Sequence, residues 1–136
     1  MGGVDGFNAL LGLNLAGAQD GAFVVTLEAD ARHLHEQGTV HGGVLLALLD
    51  TAMARAARAH CPAGHYAPTL DLQAHFLRPA SPGRLTARAR VRHAGRRRLL
   101  VAAEVHDPAD RLIATATATL MPTPLASQCG ADHSKG

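Results

Sequence analysis

Residues 38–60 read GTVHGGVLLALLDTAMARAARAH, and this run predicts one long helix. Neither Pro nor Gly occurs between residues 44 and 59, and the run is rich in Leu, Ala and Met, which enter helices at little entropic cost. Apolar residues occupy nearly every face of the first three turns, so we expect the helix to be buried on most sides. The charges of Arg55 and Arg58 near its end make the run too polar for a membrane span.

A single carboxylate, Asp50, stands inside this apolar run. Burying a lone charge is costly, so either a neighbouring Arg or amide compensates the carboxylate or chemistry uses it. At the other end, His41, Gly42 and Gly43 open the helix with accessible backbone N–H groups. Such groups attract an oxyanion and stabilise the charge that forms on a carbonyl oxygen during acyl transfer. The alternative for the two glycines is close packing of the helix against a sheet.

The spacing of these groups bears on the assembly. Asp50 follows Gly42 by eight positions, which is roughly 12 Å along a helix axis. One helix therefore cannot place its own carboxylate and its own N-terminal N–H groups on the same carbonyl. Two antiparallel copies about a two-fold axis can, and two-fold dimers are the commonest closed assembly. We infer an obligate homodimer with two shared sites.

Composition fits one domain and argues against several classes of function. The chain has 136 residues and a formal net charge of +2, which gives no general reason to expect nucleic acid or membrane as a partner. Only Cys61 and Cys129 are present, so we expect a reducing compartment and no disulfide framework. The first residues contain no targeting signal, which favours the cytoplasm. We expect a single domain over residues 1–122 and a disordered tail over residues 123–136.

Alternation of apolar and polar residues predicts an antiparallel sheet around the helix, an α+β arrangement. A short helical turn at residues 7–11 and a polar loop at residues 29–40 complete the expected elements. Asp20-Gly21 has the chemistry of a hairpin turn, and turns near Pro82, Gly95 and Pro108 favour a meander. The predicted strands are residues 13–16, 22–28, 67–77, 84–93, 99–106 and 112–121.

The helix motif resembles a known family. The run from Gly38 to Gly43, six apolar or small residues and then Asp50-Thr51-Ala52 are similar to the signature of the hotdog-fold acyl-CoA thioesterases, in the phenylacetate-degradation subfamily. The likeness continues through residues 69–80 and 95–97 and covers about residues 7–122. It implies the hotdog fold, in which an antiparallel sheet wraps one long central helix. It also implies a dimer or a dimer of dimers, and no cofactor besides the CoA of the substrate.

The resemblance assigns roles at the helix. Asp50 matches the catalytic carboxylate, as general base or as nucleophile, and Gly42 matches the N–H donor to the thioester oxygen. His41 orients the carbonyl or serves only as a structural hydrogen-bonding group. At His35 relatives carry Asn, which positions the substrate or the attacking water, so this chain departs from the pattern. His33, His35 and His41 match no standard zinc spacing, and we expect no metal site.

Further residues match substrate-contacting positions. The basic turn, formed by residues 93–98, resembles the segment that contacts coenzyme A, and Arg binds phosphate well. Thr69 matches a position whose hydroxyl lines the site in relatives; alternatively, it is an ordinary strand residue with no contact to the substrate. Phe76 is expected to line the acyl or pantetheine tunnel. The expected substrate-binding residues are Gly43, Thr69, Asp71, Phe76, His93, Gly95, Arg96, Arg97 and Arg98.

The sequence thus predicts hydrolysis of an acyl-CoA thioester. The subfamily favours aromatic or medium-chain acyl groups, with phenylacetyl-CoA or a ring-hydroxylated derivative first and hydroxybenzoyl-CoA next. A hotdog hydratase or dehydratase would pair a catalytic His with a Glu or Asp in a motif that this chain lacks. A non-catalytic module that binds or senses acyl-CoA remains the alternative from another class, although such a module would not need Asp50.

Overall fold

The structure is a computed structural model, and it describes residues 6–125. A 3-10 turn, Ala31–His33, precedes the long helix. The other elements in chain order are α1 (Gly6–Leu11), β1 (Asn14–Gln19), β2 (Ala22–Ala29), α2 (Gly42–Arg58), β3 (His65–Tyr66), β4 (Thr69–Phe76), β5 (Gly83–Ala94), β6 (Leu99–His106), β7 (Leu112–Leu120) and β8 (Thr123–Pro124).

Six strands form one antiparallel sheet in the order β1-β2-β5-β6-β7-β4, and α2 packs against its inner face. The predicted α+β architecture, with a sheet around one long helix, is confirmed. Along β5 the inward Leu85, Ala87 and Ala89 are buried, whereas the outward Arg88 and Arg90 are exposed. Small side chains on the inner face let the helix approach the sheet closely.

The predicted meander is correct for β5, β6 and β7 but wrong for β4. Instead of pairing with β5, β4 lies at the far edge of the sheet beside β7. The residues around Pro82 end β4 but do not determine its partner strand. The connection from β4 to β5 crosses two intervening strands, β6 and β7. This placement leaves the outer edge of β4 without a partner strand among residues 6–125.

The β1–β2 hairpin follows its turn chemistry. Gln19 pairs with Ala22, and both residues between them have positive φ, 51° for Asp20 and 80° for Gly21. Two positive φ angles in a two-residue loop match the right-handed twist of the strands, and Asp-Gly suits them. Asp-Gly therefore sets the register of this edge of the sheet.

Two further predictions concern the ends of the chain. The helical turn expected at residues 7–11 is present as α1, and Thr51 of α2 donates to Asn8 in it at 3.3 Å. The tail was expected to begin at residue 123, but Thr123 and Pro124 pair with β3. Residues 126–136, with Cys129, lie outside the described residues. No helix among residues 6–125 is long and apolar enough to cross a membrane.

Candidate active site

One stripe of α2 is left uncovered by the sheet. Most apolar residues of the helix are buried, as expected, but Leu46 is 40% exposed. Gly43, Ala47 and Asp50 share its face, at the spacing that places residues on one side of a helix. With Phe7, Thr69 and Leu72 they line a cavity of about 380 Å³. Among residues 6–125, Asp50 is the one ionisable group that lines this cavity.

The Asp50 carboxylate is held by a hydroxyl. Thr69, the first residue of β4, donates from Oγ1 to Asp50 Oδ1 at 2.7 Å. No Arg or amide among residues 6–125 pairs with this carboxylate, and Oδ2 has no hydrogen-bond partner there. One oxygen is therefore fixed in place, while the other is available to a molecule in the cavity.

The start of α2 provides one free N–H group. His41 is the residue just before the helix, and its Nδ1 accepts from the Gly43 N–H at 2.8 Å. The Gly42 N–H, at the first helical position, has no acceptor among residues 6–125, as expected for a helix that begins there. Of the two glycines, only Gly42 can donate to a bound oxyanion. The structure gives His41 the capping function that the sequence left as its alternative.

Gly42 faces a second cavity, of about 360 Å³. Phe76, His35 and Thr39 line it as well. A Cβ added to Gly42 would lie 3.5 Å from the Phe76 ring, so the end of β4 lies against the start of α2. The structure therefore brings Gly42, His35 and Phe76 together at one cavity.

The two ring nitrogens of His35 are both engaged within its own loop. Nδ1 accepts from the Gln37 N–H at 2.9 Å, and Nε2 lies 2.7 Å from Thr39 Oγ1. Both residues line the cavity, and the imidazole holds the hydroxyl of Thr39, a residue that sequence reasoning did not single out. Its signal, a threonine four residues after a histidine, is too common to be recognised without the fold.

Within one chain the two halves of the expected site are apart. Asp50 lies beside Thr69 at the start of β4, and Gly42 lies beside Phe76 at its end. Helix α2 and strand β4 therefore run antiparallel, and each cavity holds one half of the predicted chemistry. This agrees with the separation of roughly 12 Å expected from eight helical residues.

The basic turn connects β5 and β6 at the Thr69 end of the sheet. Across the strands, Thr69 pairs with Leu120, Leu120 with Leu99, and Leu99 with Ala94. Three strand spacings amount to roughly 15 Å. Arg96, Arg97 and Arg98 are exposed there, and His93 is exposed beside them. The Gly95 N–H donates to Arg98 O at 2.9 Å, and a Cβ at Gly95 would lie 3.1 Å from that oxygen, which explains the glycine.

Asp71 lies apart from these groups. Its carboxylate accepts from the Thr119 backbone N–H at 3.2 Å, beside the bulge between Thr69 and Asp71 in β4. It lines neither cavity. The structure thus gives Asp71 a role in strand pairing, away from both cavities, whereas the sequence predicted it to bind the substrate.

Residues 6–125 contain no candidate metal site. No group of three or more His, Cys, Asp or Glu side chains there could hold an ion. Burial raises the pKa of the Cys61 thiol, which lies away from both cavities after the end of α2. Among the described residues, the two cavities are lined by one carboxylate, one free backbone N–H, two threonine hydroxyls, an imidazole and a guanidinium group.

Known proteins resemble the chain in sequence and in fold. Residues 37–114 match the model of the thioesterase superfamily. The acyl-coenzyme A thioesterase PaaI of Escherichia coli is 40% identical over 88 residues, which are 63% of this chain and 60% of that protein. A phenylacetic acid degradation-related protein of Ralstonia eutropha is 36% identical, with a TM-score of 0.77 over 83% of this chain and 86% of that one. A Bacillus halodurans protein solved with CoA is 29% identical, with a TM-score of 0.77 over 84% of this chain and 73% of that one.

Proposed function

Because this chain belongs to the thioesterase superfamily and is a thioester hydrolase with the hotdog fold, we propose that it hydrolyses an acyl-CoA to the free acid and CoA. The PaaI-type relatives support an aromatic acyl group, phenylacetyl or a ring-hydroxylated derivative, with hydroxybenzoyl and medium-chain groups next. The mostly apolar lining of the Asp50 cavity suits such groups. Hydrolysis of this kind needs no cofactor.

The observation that carries the proposal is the antiparallel course of α2 and β4. If β4 pairs with its own copy about a two-fold axis near the middle of the strand, Thr69 of one protomer faces Phe76 of its partner. The same pairing brings Asp50 of one protomer towards the Gly42 of the other. The carboxylate and the free N–H group then face one shared cavity, twice per dimer.

The exposed edge of β4 supports this dimer. An unpaired edge strand with apolar side chains invites pairing with another chain. Leu70, Phe76 and Leu77 are 47%, 52% and 57% exposed along and just after β4, and Leu46 is exposed on the neighbouring helix face. A second copy of the chain would bury these side chains and complete the sheet.

In the proposed reaction, Asp50 Oδ2 takes a proton from a water that attacks the thioester carbonyl carbon, or attacks that carbon itself to form a mixed anhydride. The carbonyl oxygen gains negative charge and accepts from the partner's Gly42 N–H, whose place at a helix N-terminus favours an anion. The C–S bond then breaks, and the CoA thiolate leaves and takes up a proton. In the anhydride route a water completes hydrolysis.

The basic turn is the proposed contact for the phosphates of CoA. Arg96, Arg97 and Arg98 are exposed at the end of the sheet where Thr69 contacts Asp50, roughly 15 Å away across three strand spacings. A thioester held at Asp50 could therefore extend its long CoA arm towards the turn. The guanidinium groups match phosphate in charge and in hydrogen-bond geometry.

The test is free-thiol release from a panel of phenylacetyl-CoA, 4-hydroxybenzoyl-CoA, hexanoyl-CoA and acetyl-CoA. We expect turnover by the wild type and a loss of at least about 100-fold in kcat for Asp50→Asn, because the amide neither accepts the proton nor attacks the carbonyl. Asp20→Asn, in the β1–β2 turn, is the matched control and is expected to keep the wild-type kcat.

Two outcomes would contradict the proposal. Wild-type protein that binds these thioesters without releasing thiol would be a binding or sensing module. Turnover that survives Asp50→Asn would place the chemistry on another group.

A further inference from the structure

The start of α2 offers fewer donors than a helix N-terminus normally does. An oxyanion hole commonly uses two hydrogen-bond donors. Here the Gly43 N–H is already bound to His41 Nδ1, so the backbone leaves only the Gly42 N–H for a bound oxygen. Within one chain, any second donor among the described residues is therefore a side chain of the cavity that Gly42 faces, where the half-buried Thr39 and the exposed Arg78 carry donor groups.

The tautomer of His35 follows from its contacts. A backbone N–H can only donate, so the Gln37 N–H requires an unprotonated Nδ1 on His35. In the neutral imidazole the proton is then on Nε2, which donates to Thr39 Oγ1 across 2.7 Å. The Thr39 oxygen is the acceptor of this bond, and its own O–H proton remains to be donated.

Thr39 is held firmly in place. Its backbone C=O accepts from the His35 N–H at 2.9 Å, and the next residue, Val40, donates to Ala80 O at 2.9 Å. The side chain is half-buried and lines the same cavity as Gly42. No acceptor among residues 6–125 takes the Thr39 hydroxyl proton, which leaves it for a molecule in the cavity.

We propose that the Thr39 hydroxyl, oriented by His35, is the second hydrogen-bond donor to the thioester oxygen, beside the Gly42 N–H. This rests on the proposed thioesterase function and extends it to a residue that stands three positions before the first residue of α2. Thr39 would touch the reacting oxygen, whereas His35 is a positioning residue that acts through Thr39. The departure from Asn at His35 would then be compensated by a hydroxyl rather than by a direct contact of the imidazole.

The first test compares Thr39→Val, which keeps the shape and removes the hydroxyl, with Thr39→Ser, which keeps the hydroxyl. We expect Thr39→Val to lower kcat by about 100-fold with little change in KM, because the lost bond is strongest once the oxygen carries charge. Thr39→Ser is expected to recover most of that loss. A purely structural role for Thr39 would give parallel losses in the two variants, tracking their melting temperatures.

The second test is a double-mutant cycle with His35→Phe. If His35 acts through the Thr39 hydroxyl, His35→Phe lowers kcat in the wild type but produces no further loss in Thr39→Val. Additive losses would contradict the inference, as would a Thr39→Val protein with kcat within threefold of the wild type. Absence of thiol release by the wild type is a different result, which would overturn the proposed function and this inference together.

Discussion

Three histidines of the loop before α2 owe their positions to local backbone bonds. In His33, His35 and His41 the Nδ1 atom accepts a backbone N–H from a residue two or three positions away. Each imidazole thereby closes a small turn and keeps Nε2 for a second contact. The sequence shows three closely spaced histidines, but the tautomers that decide their roles depend on backbone geometry that spacing alone does not reveal.

His33 is the most deeply buried of the three, and we expect His33→Ala to destabilise the protein by about 2–4 kcal/mol. Its side chain is 1% exposed, and Nε2 donates to Leu11 O at 2.7 Å while Nδ1 accepts from the Asp30 N–H at 3.0 Å. Alanine would leave both backbone groups unpaired and a cavity between α1 and the 3-10 turn. Urea unfolding followed by circular dichroism, at one protein concentration, measures the loss.

His60→Ala is the matched control, because His60 is exposed and its side chain makes just one contact of 3.4 Å, with Ala56 O, among the residues that the structure describes. Its effect should stay within about 0.5 kcal/mol. Equal losses in the two variants would mean that the two bonds of His33 contribute nothing particular to stability.

At the scale of elements, the sequence predicted the helix and the hairpin, because each is determined by residues that are close together in the chain. The long helix follows from the lack of Gly and Pro between residues 44 and 59, and the β1–β2 hairpin follows from Asp20-Gly21. The position of β4 was not predictable in this way. Its pairing with β7 joins residues far apart in sequence, so it depends on how the whole inner face covers α2.

The loop between β6 and β7 makes a prediction about acid stability. The Arg111 backbone N–H donates to Asp107 at 2.9 Å and its guanidinium lies 2.8 Å from the carboxylate; these contacts hold the pKa of Asp107 below its ordinary value. A lowered pKa stabilises the fold above the unfolded value of about 3.9, and this contribution is lost as pH falls through the folded pKa. We expect Asp107→Asn to lower Tm at pH 7 and the difference to shrink below pH 4.

Thermal unfolding of the wild type and of Asp107→Asn between pH 7 and pH 2.5 measures how the difference in Tm depends on pH. Asp110→Asn, in the same loop, removes a carboxylate that has no hydrogen-bond partner among residues 6–125, and its Tm should stay close to the wild type throughout. A deficit for Asp107→Asn that is the same at every pH would show that packing, and not the charge, is responsible.

At the scale of the whole molecule, the sequence predicts that one chain cannot form the active site alone. The unpaired edge of β4 is where we propose that a second chain binds. The spacing of Asp50 and Gly42 along a helix is too long for one chain to place both on the same carbonyl, which is why we propose a shared site. What the sequence does not contain is the direction of β4 relative to α2, which decides whether edge pairing would bring the two groups together. That direction follows from the contacts of Thr69 with Asp50 and of Phe76 with Gly42.

The shared site can be tested with heterodimers of Asp50→Asn and Gly42→Pro. Proline removes the N–H at the first helical position, where it is tolerated, and its Cβ would lie at ordinary contact distance from Phe76. His41 before it, with φ −60° and ψ 135°, already has a conformation that suits a following proline. Each variant alone should lose most of its activity. A heterodimer with one change on each chain, isolated by two affinity tags, should regain about half of the wild-type kcat per dimer, because one of its two sites is intact.

Placing both changes on one chain reverses the expectation. Paired with a wild-type chain, the doubly changed chain spoils both shared sites: one lacks the carboxylate and the other lacks the N–H. This heterodimer should be nearly inactive, although it contains one unaltered chain. If each protomer carried a complete site of its own, the two results would be exchanged, since the unaltered chain would then work by itself. Thiol release from the two heterodimers, prepared with the same tags, therefore distinguishes a shared site from a private one.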